Sequence, residues 1–288
     1  MSEEQITPTP AFSDLGKHCR SLFEKYYSFG LLNLKAKTMS PLGIDFKMDG
    51  IYDISSKKVD ASLESLYVIP EWKVSFVEKW CSDNTLSTDV GIQDLFLKGI
   101  FLGTGSKFSM DTGSKSFFFR SGYKMNVGNV DLDFNIEPPS YNVRLSSVAS
   151  FLGWLVGGRL IADFPSRKLI LSSFSLGYYN EGFILHSNVT NSREFSASIF
   201  HQISCKLDTG IRMSWTMGSN LTQLGLGAVY RLDDSTTFRG KVDNQNFIGL
   251  GFSQKLSTGV VINFGACLDG KNFTHGQHQI GLGIEMEA

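Results

Sequence analysis

"QIGLGIEM", Gln279 to Met286, sets Ile280, Leu282, Ile284 and Met286 against Gln279, Gly281, Gly283 and Glu285. The period is two, which is the period of an extended strand, so one face is apolar and the other is polar or bare. "QLGLGAVY", Gln223 to Tyr230, repeats the device with Leu224, Leu226, Ala228 and Tyr230 against Gln223, Gly225, Gly227 and Val229. Val130, Leu132, Phe134 and Ile136 alternate with Asp131, Asp133 and Asn135, and Val59, Ala61, Leu63 and Tyr67 with Asp60, Ser62 and Glu64. Turn signals separate such segments: "SDN" at 82, "DTGS" at 111, "EPPS" at 137, "NEG" at 180, "DDS" at 233, "STG" at 257 and "DGKN" at 269. From Leu31 to Met286 this gives about 19 segments of roughly 13 residues, a tilted membrane strand plus its connection.

Only the start of the chain follows a different period. Phe12, Leu15, Cys19, Leu22, Phe23 and Tyr26 recur at helical spacing, with Lys17, His18, Arg20, Glu24 and Lys25 on the other side. One amphipathic helix is therefore expected, with Ser13 or Thr9 as its cap and Pro10 near its first turn. So many strands with no linker would make an open sheet larger than usual, whereas a barrel closes its own edges. A barrel this wide cannot be filled by side chains, so its inside is wet and its apolar face meets lipid. The fold class expected is all-β: a single transmembrane barrel of about 19 strands over 31–288, preceded by a segment 1–30 that carries the helix.

"VSFVEKW", Val74 to Trp80, places Glu78 on the apolar face with Val74, Phe76 and Trp80. A carboxylate among lipid-facing side chains is costly, and such residues are rare and functional. The simpler alternative is a bulge that turns Glu78 inward.

Composition excludes other classes. Lys and Arg number 27 against 28 for Asp and Glu, a net charge of -1 with no basic block, which speaks against a nucleic-acid partner. Cys19, Cys81, Cys205 and Cys267 are scattered, with no disulfide framework and no metal spacing. His275 and His278 in "HGQH" lack a third ligand and read as a polar loop. No metal or cofactor is expected. No nucleophile with a base, no paired catalytic carboxylates and no phosphate loop leading into a helix is found, so no enzyme is expected. The uncharged stretch Leu145 to Gly158 is too short and too rich in Ser and Gly for a membrane helix. "MSEEQITPTPAF" is acidic and Pro-interrupted, unlike a secretory signal or a matrix presequence. Insertion from the cytosol without a cleavable signal is expected, and the sequons at Asn188, Asn220 and Asn272 are then coincidental.

The C-terminal run from "VYRLDDSTTFRGKVDNQNFIGLGF" to "FTHGQHQIGLGIEMEA" resembles the mitochondrial voltage-dependent anion channel family, the eukaryotic porins. "AFSDLGKHCRSLFEKYYSFGLLNLKAKT", "EKWCSDNTLSTDV", "GWLVGG" and "GYYNEGFILHSNV" resemble the same family in the same order, so the likeness covers essentially the whole chain. The resemblance implies a 19-stranded barrel of the mitochondrial outer membrane with the helix inside the pore. Its implied activity is voltage-dependent passage of ions and of metabolites such as ATP, ADP and phosphate. It implies that Lys17, Arg20 and Lys25 face the permeation path, and that Glu78 is a membrane-facing glutamate linked to binding of partners such as hexokinase and to local bilayer thinning; hexokinase-like or apoptosis-related proteins and a second copy are the partners it suggests. Gln279, Gly281, Ile284 and Met286 take the place of the sorting signal for membrane insertion.

Three departures change the expectation. Tyr26 and Ser28 stand where the family has hinge glycines, so a stiffer link between helix and wall is expected. The family's nucleotide-associated Gly-Leu-Lys becomes Gly99, Ile100 and Phe101, leaving Lys98 and Gly99 as a weak nucleotide contact. Near-neutral charge weakens the field that favours anions. Two other readings compete: the protein-conducting channel of the outer-membrane translocase, which fits the two ends of the sequence less well, and a lipid-handling or partner-docking scaffold.

Overall fold

The computed structural model describes residues 9–94, 97–219, 222–257, 259–274 and 276–287. From Leu31 onward these form 19 strands in one sheet, each antiparallel to the next. The sheet closes where β1 (Leu31–Met39) lies beside β19 (Gln279–Glu287), with Leu32 opposite Leu282 and Lys37 opposite Glu287. That seam is parallel. When strands alternate up and down, an odd number leaves the first and last pointing the same way, so only a parallel pairing can remove both open edges.

The register carries the alternation read from the sequence around the wall. Through β3 (Val59–Ile69), β4 (Val74–Cys81), β5 (Thr85–Gln93) and β6 (Ile100–Ser109), Leu63, Trp80, Leu86 and Phe108 stand in one outward row. One residue along each strand, Glu64, Lys79, Ser87 and Lys107 form a row facing the lumen. Large apolar side chains of the outward row are exposed, Trp80 by 56%, so the solvent on that side must be apolar. No helix of the described residues is long and apolar enough to cross a membrane. Among the described residues, buried apolar clusters occur only where the N-terminal segment meets the inner wall. One joins Cys19, Leu22, Phe23 and Val229, the other Leu15, Val148 and Leu155.

The N-terminal helix departs from its expected form. A 3-10 turn, Phe12–Asp14, is followed by a break and then by α1, Lys17–Glu24. Gly16 makes the break at φ 69, pressed against the His186 ring so closely that a Cβ would stand 2.7 Å from Nδ1. Neither Ser13 nor Thr9 caps α1: Gly16 holds that position without a side-chain bond, and Thr9 Oγ1 instead donates to the Asn126 carbonyl at 2.9 Å. Leu15, Cys19, Leu22 and Phe23 are buried, as their spacing predicts. Tyr26 falls outside the helix, at φ 69, where the chain turns toward the wall.

Candidate pore constriction

The N-terminal segment lies inside the barrel, because the wall residues it touches are on the lumen side of the register. It packs on β13 (Glu194–Ser204), β14 (Leu207–Thr216) and β15 (Thr222–Arg231), while the 3-10 turn rests on β9 (Ser140–Phe151) and β10 (Trp154–Asp163). Gly210 and Gly227 face each other there, with Ile211 and Leu226 beside them pointing outward. The linker after α1 sits closer still. A Cβ at Gly265 would fall inside the Tyr27 carbonyl, and one at Gly281 inside the Ser28 carbonyl. Only glycine permits backbone to lie on backbone in this way.

Aromatic rings of the segment meet cations of the wall at four places. Arg159 stands 4.4 Å from the Phe12 ring, Arg212 4.6 Å from Phe23, and Arg239 4.8 Å from Tyr26. Lys241 lies 4.1 Å from Tyr27 and 4.8 Å from Phe29, and its Nζ donates to the Phe23 carbonyl at 2.6 Å. A partly desolvated cation over a ring is worth about 0.5–2 kcal/mol, so the set adds to the hold that the buried apolar face already gives. Burial pushes the Tyr27 phenol up to about 12 and also raises the Cys19 thiol.

Elsewhere the lumen pairs its charges across the sheet, between neighbouring strands or, for Arg120 of β7 (Lys115–Lys124) and Asp89 of β5, over the strand between them. Lys35 meets Glu285 at 3.6 Å, Lys37 meets Glu287 at 2.8 Å, Lys47 meets Glu64 at 3.0 Å, Arg120 meets Asp89 at 2.6 Å and Arg144 meets Asp133 at 3.5 Å. Arg231 is bonded to Asp208 in the same way. The result is a wide ring with a charged, water-compatible interior, narrowed on one side by the segment.

The family model for eukaryotic porins matches residues 8–281. The chain is a eukaryotic porin. The porin is 40% identical over 279 residues to the voltage-dependent anion-selective channel of Drosophila melanogaster, covering 97% of this chain and 99% of the relative. It is 39% identical over 282 residues to the non-selective voltage-gated ion channel VDAC1 of Homo sapiens, again with 97% and 99% covered. The Xenopus laevis non-selective voltage-gated ion channel VDAC2 is 39% identical over 281 residues, at the same coverage.

The porin brings Lys17, Arg20 and Lys25 together on the exposed side of the segment, inside the lumen. Each has a local partner: Lys17 meets Asp14 at 3.2 Å, Arg20 donates to the Ser13 carbonyl at 2.6 Å, and Lys25 lies 4.6 Å from the Tyr26 ring. Glu78 is exposed on the outward face between Phe76 and Trp80, with Ser65 and Thr88 as its cross-strand neighbours. The register is continuous on both sides of β4, so no bulge turns it inward.

Lys98 and Gly99 lie apart from α1, in a rim recess shared with Asp94, Lys124 and Asp131 and bordered by Asn126, the partner of Thr9. Gly99 has a structural task there: at φ 95 it donates its N–H to Asp94 Oδ1 at 2.5 Å, and a Cβ would strike the Lys124 carbonyl. Of the C-terminal residues, Gln279 and Gly281 face the segment, whereas Ile284 and Met286 lie on the opposite face, beside Leu34 and Ala36 of β1. His278 braces a turn, its Nδ1 accepting the Asp269 N–H at 3.2 Å, and His275 lies outside the described residues. Sequence reasoning missed the wall cations Arg159, Arg212, Arg239 and Lys241. The signal was available in "FRGKV", where Arg239 and Lys241 share the lumen face, and in the aromatic run Phe23, Tyr26, Tyr27, Phe29.

Proposed function

We propose that the porin is a diffusion channel of the mitochondrial outer membrane, passing ions and small hydrophilic metabolites such as ATP, ADP and phosphate in a voltage-dependent manner. The observation that carries this reading is the closed 19-strand wall with apolar side chains outside and ion-paired side chains inside. Lys17, Arg20 and Lys25 supply positive charge at the narrow part, and paired acids elsewhere leave only a weak anion preference. Lys98 serves as a rim contact for a passing nucleotide. The terminal strand, through Gln279, Gly281, Ile284 and Met286, directs insertion. Purified protein in vesicles is expected to release trapped ATP and to retain a large dextran; retention of both solutes by vesicles that contain the folded barrel would overturn the reading.

One observation favours a second role as a docking scaffold: Glu78, a carboxylate on the apolar face, available to a hexokinase-like or apoptosis-related partner or to another copy. Glu78→Gln is expected to leave ATP release intact and to weaken partner recruitment to vesicles; unchanged recruitment removes Glu78 from the partner site.

A further inference from the structure

The turns at one end of the barrel differ between its two halves. The end reached by β1 carries the turns β1–β2, β3–β4, β5–β6, β7–β8 and β9–β10, and each presents a large apolar side chain. These are Leu42, Trp72, Leu97, Val127 and Leu152, between 61% and 79% exposed. On the other half of this end, the described turns carry Glu181, Lys206 and the pair Asp233 and Asp234, with Leu232, 47% exposed, as their single large apolar side chain. At the opposite end, among the described residues, turns with a large exposed apolar side chain alternate with turns that have none, such as "SDN" at 82 and "NQN" at 244. Among the described residues, only this arc, spanning half of one rim, has a large exposed apolar side chain at every successive turn.

Strands are about 4.8 Å apart, so tips on successive hairpins stand roughly 10 Å from one another. That spacing decides between occupants. A protein partner needs a contiguous apolar patch, whereas lipid accepts each tip separately. The tips also continue the apolar outer band of the same strands: Trp72 precedes Val74 and Phe76 of β4. Lys73 beside Trp72 and Lys98 beside Leu97 add long basic side chains, and Trp with Lys at the end of an apolar band is the composition of a membrane interface.

We infer that this half-rim is seated in the boundary between headgroups and acyl chains of one leaflet, while the half that carries Glu181, Lys206 and Asp233 stays in water. The ligand is the lipid surface itself, and the barrel axis leans toward the seated side. The inference rests on the reading of the chain as a membrane barrel, so its test carries an independent marker for that reading. The full chain is placed in phosphatidylcholine vesicles in four forms. One keeps Trp72 alone, with Trp80, Trp154 and Trp215 changed to Phe. A second keeps Trp80 alone, and a third combines Glu181→Trp with Phe at all four native tryptophans. Leu152→Trp in that background repeats the measurement at the far end of the arc.

Trp80, in the outer band, is expected to be quenched by lipid brominated deep in its acyl chains. Trp72 and the probe at 152 are expected to be quenched by lipid brominated close to the headgroup. Iodide should quench them with a constant roughly fivefold lower than for the probe at 181. If Trp80 responds to lipid while Trp72 and the probe at 152 are as open to iodide as the probe at 181, the half-rim is in water and the inference falls, with the membrane reading intact. Protection from both iodide and brominated lipid would mean that the tips are covered by a second copy, which also overturns it. A Trp80 blind to brominated lipid would overturn the membrane reading and the inference together.

Discussion

Two residues show what a single side chain decides here. Glu78 sits on the lipid side of β4 with only Ser65 and Thr88 beside it across the sheet, so it contributes nothing to the wall and adds a desolvation cost. Glu78→Gln is therefore expected to stabilise the barrel, by about 1 kcal/mol, seen as a higher denaturant midpoint for the protein in lipid vesicles. Its direction was legible in the sequence, because a period of two admits only two faces. The conformation of Tyr26 was not. A side chain at φ 69 costs about 1–2 kcal/mol, and sequence statistics would place glycine there. The contact that sequence could not show is tertiary: Arg239 of the wall lies against its ring, on which the neighbouring Lys25 also rests. Tyr26→Ala keeps the backbone cost and loses the ring. Cys19, on the buried face of α1, reports on the outcome. A water-soluble maleimide should label exposed Cys205 quickly and Cys19 slowly in the parent protein. Tyr26→Ala is expected to speed Cys19 labelling about fivefold, following the loss of roughly 1 kcal/mol of cation–ring contact. An unchanged rate would show that the ring does not hold the segment.

At the scale of elements, the N-terminal segment shows where sequence reading stops. The 3.6-residue spacing of Leu15, Cys19, Leu22 and Phe23 identified the buried face, because that face is a property of the helix alone. The break at Gly16 and the absence of a side-chain cap are imposed by the wall: His186 occupies the space a continuous helix would need, and Thr9 is drawn to Asn126. The linker is fixed by glycines some 240 residues away in sequence, which no local pattern reveals. Gly265→Ala and Gly281→Ala each place a methyl group where the Tyr27 or Ser28 carbonyl now lies. Either is expected to lift the linker at a cost of about 1–3 kcal/mol and to expose Cys19 to maleimide. Gly240→Ala, on the outward face with nothing within 4 Å of the new carbon, is the matched control and should change neither.

For the whole molecule, closure and charge were legible to different degrees. The strand periodicity, the turn spacing and the family resemblance together gave the 19 strands, and an odd number forces the parallel seam between β1 and β19. Net charge near zero predicted a weak field but not its arrangement, since pairs such as Lys47 with Glu64 or Arg120 with Asp89 are set by register. The cations that remain against the segment, Arg212 and Lys241 among them, are the ones whose field reaches the path. Arg212→Gln combined with Lys241→Gln should lower the anion-to-cation permeability ratio by less than about fivefold, since each charge acts through water at under about 1 kcal/mol. The shift should fade as salt shortens the Debye length.

The most direct test of a wet, conducting barrel is a recording from purified protein in a planar bilayer under a salt gradient. A stable conductance that rises in proportion to salt, with a small reversal potential, is the result predicted. Barrels that insert, shown by protease protection, yet pass no current at any voltage would contradict it.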